Sequence, residues 1–166
     1  MPPMTTLLLS LTVPLSLLLH PADWPVGPPR PEVLRGWEPP PGPYAAGHRG
    51  VDLAAPPGTP VRAPAAGTVT FAGPVGGRGV LVLTLTGTGR PPLRTTYVPV
   101  DPLLRPGTPV RPGDLIAHVS PATPGDHCAR SCLHWGLLRG DTYLDPLRLL
   151  GGGRSRLLPV AGLPPD

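Results

Sequence analysis

Short apolar runs separated by glycine and proline form the main pattern of this chain. Runs of this length bounded by turn residues are typical of β-strands. A long helix is excluded, because proline is frequent and no stretch keeps an unbroken 3.6-residue apolar period. We therefore predict a mainly β fold, a small antiparallel sheet folded over into a barrel-like shape with turn-rich loops. The predicted strands are 51–53, 60–63, 67–71, 79–86, 93–98, 108–110, 115–119 and 133–138.

One hexapeptide, Pro-Gly-Thr-Pro-Val-Arg, occurs twice, at 57–62 and at 106–111. Each copy precedes a turn and an apolar run, so each predicts a tight turn and a short strand that pairs with the next strand. Biotinyl and lipoyl carrier domains have a similar Gly-Thr-Pro-Val arrangement. They need an attachment lysine, and this chain contains none, which excludes a carrier function.

The composition fits one domain with a core of valine, leucine and alanine, since 166 residues include only one Phe, three Trp and three Tyr. The net charge is +4, but the arginines are scattered singly and are not interleaved with aromatic residues. We therefore expect loose attraction to anionic surfaces and no nucleic-acid site. We also expect a monomer.

The chain divides into four parts. Residues 1–20 contain an apolar stretch, 7–19, that is too short for a comfortable membrane span and reads as an export signal or short anchor. No Lys or Arg precedes it and no A-x-A site follows it. It predicts a secreted or envelope-associated protein, with membrane proximity if the segment is retained. Residues 21–43 form a proline-rich lead that we expect Trp24 and Trp37 to hold against the domain at 44–150, and 151–166 form a tail.

Two local patterns carry candidate chemistry. His48 and Asp52 are four residues apart at a predicted strand entry, and both are ordinary zinc ligands, although a surface histidine and a capping aspartate would look the same. Cys132 and His134 alternate on a predicted strand, so their side chains share a face. The alternative for this pair is a buried histidine beside a cysteine that packs as a small apolar residue.

Residues 44–150, about two thirds of the chain, resemble the lysostaphin-type (LytM-like) zinc metallopeptidase domain. The resemblance implies a mainly β fold, one zinc ion and endopeptidase activity on peptidoglycan peptides of the bacterial cell wall. It implies that His48, Asp52 and His134 are the zinc ligands. The matching motifs lie at 47–53, 58–63, 67–69, 95–97, 110–114, 133–136 and 144–147.

The chain departs from this family at two catalytic positions. The histidine of the family's Tyr-x-His motif is Pro99 here, and the first histidine of its His-x-His motif is Cys132. Proline has no ionisable group, and cysteine is a poor general base at neutral pH. We therefore expect weak or altered hydrolysis, with Tyr97 lining the substrate groove and His127 as a candidate replacement for a lost proton-handling group.

The two cysteines leave one further question open. Cys128 and Cys132 are four residues apart, and a turn between them would allow a disulfide beside the metal, which export favours. Alternatively, the Cys132 thiolate is a fourth ligand in a closed, structural zinc site. The leading hypothesis is an exported zinc metalloendopeptidase homologue. The alternative is a non-hydrolytic, metal-stabilised module that binds the cell wall or regulates.

Overall fold

The computed structural model describes residues 23–42, 45–123, 128 and 131–151. This described part is mainly β, as predicted, and its only helix is a short 3₁₀ turn at Pro146–Leu150. The strands are β1 Val33–Arg35, β2 Gly50–Ala54, β3 Pro60–Arg62, β4 Gly67–Val75, β5 Arg78–Leu85, β6 Leu93–Val98, β7 Val100–Pro102, β8 Pro109–Val110, β9 Leu115–Val119, β10 Cys132–Arg139 and β11 Thr142–Leu144.

The strands form two antiparallel sheets. The larger one has the order β1-β2-β10-β6-β5-β4-β8, with β11 paired to β10, and the smaller one has the order β3-β9-β7. One apolar core takes side chains from both sheets, because alternate residues of each strand point the same way. The larger sheet ends at β1 and β8 and is not a closed barrel.

The two hexapeptide copies form matching turns. In each copy the threonine hydroxyl donates to the carbonyl three residues earlier, Thr59 to Pro56 and Thr108 to Arg105. The glycines before them have φ of 82° and 91°, a left-handed conformation that favours glycine. The predicted pairing was wrong, however. β3 pairs with β9 rather than with β4, and β8 pairs with β4 rather than with β9, so the two copies exchange partners.

The proline-rich lead packs against the domain and extends its sheet. Trp24 contacts the core tryptophan Trp135, with ring centroids 6.4 Å apart, and Trp37 also packs against the core. Both tryptophans therefore hold the lead in place, as predicted. The pattern did not predict β1, which pairs with β2 and adds the lead's own strand to the larger sheet.

The predicted export segment at 1–20 and the tail from 152 onward lie outside the described residues. Within the described residues, no helix has the length and apolar character needed to cross a membrane.

Candidate metal centre

The pairing of β2 with β10 brings the predicted ligands together. Asp52 lies opposite His134 in this register. Along β10 the side chains alternate, so Leu133, Trp135 and Leu137 enter the core while His134 stays on the other face of the sheet. A metal site on this face is therefore held by a strand whose reverse face is fixed in the core.

Three ligand atoms converge on one point. His48 Nε2 lies 3.1 Å from Asp52 Oδ1 and 3.1 Å from His134 Nδ1, and His134 Nδ1 lies 2.8 Å from Asp52 Oδ1. Ligands of a tetrahedral zinc ion with bond lengths near 2.0–2.1 Å lie about 3.3 Å apart, so the observed triangle is close to the size that zinc requires. Two imidazoles and a carboxylate are also a donor set that zinc uses.

The lead orients His48 for this role. Its backbone bridges to Glu38, with N–O distances of 2.8 and 3.1 Å in the two directions. Its Nδ1 lies 2.6 Å from the carbonyl oxygen of Gly36. Because a carbonyl oxygen only accepts, Nδ1 carries the proton and Nε2 keeps its lone pair for a metal.

The centre is closed on one side and open on the other. His48 and Asp52 are buried, with 4% and 2% of their surfaces exposed. The side chain of His134 is 16% exposed, so the site meets solvent on that side. Among the described residues, three side chains offer ligand atoms here and one side is accessible, an arrangement typical of catalytic zinc, whereas structural zinc is enclosed by four ligands.

Gly50 provides the space for the His134 ring. A Cβ atom at this position would meet the backbone oxygen of Trp135 and would lie 2.7 Å from His134 Nε2. Gly50 sits opposite Gly136 on β10, where a Cβ atom would meet the hydroxyl of Thr96. Two facing glycines therefore keep the sheet surface beside the ligands flat.

Cys128 and Cys132 are joined by a disulfide in the structure, with Cα atoms 6.2 Å apart. Both sulfurs lie within 4.8 Å of a carboxylate oxygen of Asp52. In this form neither sulfur is a thiolate, so Cys132 is not available as the fourth ligand that the sequence left open.

Tyr97 does not line the site, so that prediction was wrong. It pairs with Trp135 and is fully buried on the core face, opposite to the face that carries His134. Burial raises the pKa of its hydroxyl above the ordinary value. The polar groups of Thr95 and Trp135 lower this pKa by a smaller amount. The residue of β6 that lies opposite His134 is Val98. The candidate base His127 lies outside the described residues.

Sequence reasoning missed the features that support the ligands. The carbonyl of Gly36 and the bridge from Glu38 come from the lead, which carried no metal motif. A backbone carbonyl leaves no signal in the sequence. Gly50 lies between His48 and Asp52 in the sequence. That this position has no room for a Cβ atom became clear only from the position of His134 in the structure.

Comparison with known proteins supports the fold and its family. Residues 46–146 match the model of peptidase family M23. An uncharacterized protein of Mycobacterium tuberculosis strain H37Rv is 42% identical over 142 residues, which cover 83% of this chain and 55% of that protein. A protein of Mycobacterium bovis, also uncharacterized, matches to the same extent. The chain therefore spans about half the length of the curated relatives it matches.

Solved structures of peptidases have the same fold. The solution structure of lysostaphin has a TM-score of 0.57 and 26% identity over 73% of this chain and 50% of its own. The catalytic domain of the antimicrobial peptidase lysostaphin from Staphylococcus simulans has a TM-score of 0.59 and 22% identity, over 73% of this chain and 92% of its own. A zinc-containing peptidase from Vibrio cholerae has the same score and identity, over 75% and 39%. The last two show the fold alone.

The family model covers well over half of the chain, and the mycobacterial relatives extend the match to the lead. This chain belongs to peptidase family M23.

Proposed function

We propose that this member of peptidase family M23 is a zinc-dependent endopeptidase homologue that acts on peptides of bacterial peptidoglycan, with weak or altered hydrolysis. His48, Asp52 and His134 would bind one zinc ion. The observation that carries the proposal is the convergence of their ligand atoms to within 2.8–3.1 Å on the side of the sheet that meets solvent.

The sheet beside His134 offers a floor for an extended peptide. The row Gly50, Gly136, Thr96, Val82 and Phe71 crosses five neighbouring strands on the face that carries the ligands. At about 4.8 Å between strands, this row is about 19 Å long, enough for roughly five residues of extended peptide. Exposure rises along the row, from the buried glycines to the exposed Phe71.

When bound, zinc supplies Lewis acidity toward a water molecule and a peptide carbonyl. The protein itself would position the zinc ligands and transfer protons, and this chain has fewer groups that can transfer protons. Pro99 has no proton to give or accept, and Cys132 is in the disulfide. Since each proton-handling group contributes about 10²–10⁴-fold, we expect a large loss of rate unless His127 takes over one role.

The same two positions favour a second candidate, a non-hydrolytic module that binds peptidoglycan through the metal centre and the flat sheet face. The net charge of +4 would add attraction to anionic wall polymers. This candidate keeps the metal but has no turnover.

Metal content and cleavage, measured on the same preparations, separate these candidates. The purified chain is analysed for zinc and incubated with labelled peptidoglycan, beside His134→Ala and His127→Ala. We expect one zinc per chain in the wild type and much less in His134→Ala. Release of soluble peptides, reduced in His127→Ala, supports the enzyme. Metal-dependent sedimentation with peptidoglycan and no release supports the binding module, and a wild type without metal contradicts both.

Restoring an imidazole tests whether proton handling is the missing part. Cys132→His places one beside His134, and Cys132→Ala is the matched control that also removes the disulfide. If the metal is in place and only proton transfer is lacking, Cys132→His should raise peptide release about 10²–10⁴-fold over Cys132→Ala. Equal release from the two variants would argue against this explanation.

We also propose that the chain is exported, stays in the cell envelope or is secreted, and acts as a monomer. The apolar segment at 7–19 supports export. Cell fractionation with and without residues 1–20 tests the location, and light scattering of the purified chain tests the monomer.

A further inference from the structure

The disulfide lies against the metal centre rather than at a distance from it. Asp52 belongs to two groups of potential ligands, one with His48 and His134 and one with Cys128 and Cys132. Asp52 is 2% exposed and Cys132 is 6% exposed, so the Cys132 half of the disulfide forms part of the buried wall beside the carboxylate.

We propose that reduction of this disulfide converts the open three-ligand centre into a closed four-ligand centre, in which Cys132 binds the same zinc ion as His48, Asp52 and His134. The inference rests on the metal centre of the proposed function. It makes the Cys128–Cys132 pair a redox-dependent part of that centre.

The chemistry balances with a dithiol reductant of the thioredoxin class. The reductant gives two electrons and two protons, its own sulfurs form a disulfide, and the Cys128–Cys132 bond opens to two thiols. Cys132 then loses its proton to solvent as the sulfur binds the metal, because the thiolate is the ligand form. Cys128 is partly exposed, which gives the reductant a sulfur to attack.

The strand geometry places Cys132 for this role. Cys132 and His134 are two residues apart on β10, so their side chains leave the same face of the sheet. In a tetrahedral zinc site a sulfur and a carboxylate oxygen lie about 3.6 Å apart, and both sulfurs already lie within 4.8 Å of Asp52. Opening the disulfide would free the Cys132 side chain to change its rotamer and turn its sulfur toward the Asp52 carboxylate.

Closing the fourth position changes what the centre does. Four protein ligands are typical of structural zinc, and an open position is what a peptide substrate needs. The oxidised form would therefore bind substrate and the reduced form would hold its metal more tightly without it. Loss of an outer partner alone costs about 10–100-fold in metal affinity, so an added direct ligand should strengthen binding at least about tenfold.

Cobalt(II) replacing zinc reports the ligands without any activity assay. The full chain is loaded with one equivalent of cobalt(II), and absorption spectra are recorded before and after reduction with a dithiol and its removal. We expect visible bands of a nitrogen- and oxygen-ligated ion in the oxidised form. A strong thiolate-to-cobalt band in the near ultraviolet should appear only after reduction, together with slower loss of metal to a chelator.

Two matched variants assign the ligand. Cys128→Ser and Cys132→Ser both abolish the disulfide by the same change of atoms, and each leaves one free thiol. Cys128→Ser should show the thiolate band without reductant, and Cys132→Ser should never show it. Disulfide loss alone would affect the two variants equally.

The outcomes are distinguishable. If oxidised protein binds no cobalt, the proposed metal centre itself fails. If it binds one ion and reduction produces no thiolate band, the centre stands and this inference is overturned. A band in Cys132→Ser, or a second ion bound on reduction, would also overturn it, by pointing to Cys128 or to a separate site.

Discussion

The two faces of β10 differ in role, because one packs into the core and the other faces the candidate metal centre. On one face Leu133, Trp135 and Leu137 are buried in the core. On the other, Cys132 and His134 lie beside Asp52 of β2, which is one of the candidate metal ligands. Because adjacent residues share one backbone, packing of the core face also fixes the position of the candidate ligand on the other face.

The faces also differ in how they are stabilised. The core face combines apolar contact with one buried hydrogen-bond chain, in which Trp135 Nε1 donates to the Thr95 hydroxyl at 2.7 Å and that hydroxyl donates to the Gly136 carbonyl at 3.0 Å. The metal face brings two imidazoles against a buried carboxylate, a donor set that suits a metal cation. We therefore expect substitutions on the two faces to separate stability from metal binding.

The largest effect on stability is expected from Trp135→Ala. Trp135 is fully buried and contacts Trp24, so truncation leaves a cavity and loosens the lead. Loss of a buried aromatic side chain of this size costs about 3–5 kcal/mol of unfolding free energy. Urea unfolding followed by circular dichroism measures it on metal-free protein.

His134→Ala is the matching substitution on the metal face, at the residue directly before Trp135 on β10. Its side chain is partly exposed and is not part of the core, so the metal-free protein should lose no more than about 1 kcal/mol. Its metal affinity should fall by more than the roughly 100-fold of an outer-partner change. A His134→Ala variant as unstable as Trp135→Ala, with unchanged metal affinity, would show that the two faces do not divide these roles.

Gly50→Ala tests a position that should affect both stability and metal binding. The added methyl group would meet the Trp135 carbonyl oxygen and lie 2.7 Å from His134 Nε2, so strand pairing and ligand position should suffer together. Overpacking of this kind costs about 1–3 kcal/mol. Calorimetry with and without metal should show both losses. Gly42→Ala, where a Cβ would meet nothing within 4 Å, should be nearly neutral.

The hydrogen-bond chain on the core face predicts a smaller effect. Thr95→Val keeps the shape but removes the acceptor of Trp135 Nε1, and an unpaired buried donor costs about 1–3 kcal/mol. Thr95→Ser keeps the hydroxyl and should recover most of this loss. Metal affinity, measured by competition with a chelator, should not change in either variant. Equal stability of the two variants would mean that the hydroxyl does not matter.

The sequence predicted more of the ligand set than of its surroundings. The motif around His48 and Asp52 and the alternation at Cys132 and His134 are local, so periodicity and resemblance were enough to pick out the candidate ligands that the structure brings together. The exchange of partners between β3 and β8 is not local, because two identical hexapeptides each precede an apolar strand and nothing in the hexapeptide itself selects which strand it pairs with. Tyr97 was misplaced for a related reason. Its face depends on the register of β6 against β10, which only the folded sheet fixes.

Tyr97 therefore gives the smallest and most specific test of the core face. Its hydroxyl is buried in the core, and burial raises its pKa above the value near 10 that it has in the unfolded chain. The unfolded state then loses this proton first as the pH rises, so the contribution to stability is complete below about pH 10 and is lost above it. One such group lowers the unfolding free energy by up to about 1.4 kcal/mol per pH unit.

Tyr97→Phe should remove this part of the alkaline decline and leave stability at neutral pH unchanged or slightly higher. Tyr143→Phe is the matched control, because Tyr143 is 39% exposed on β11 and its hydroxyl is not held in the core. Unfolding in urea at pH 9 and pH 11 compares the three proteins on metal-free samples. If Tyr97→Phe declines as steeply as the wild type, the hydroxyl is not enclosed by the core. Tyr97 would then be in contact with solvent on the side of the candidate metal ligands. The proposed difference between the two faces of the sheet would not hold for β6.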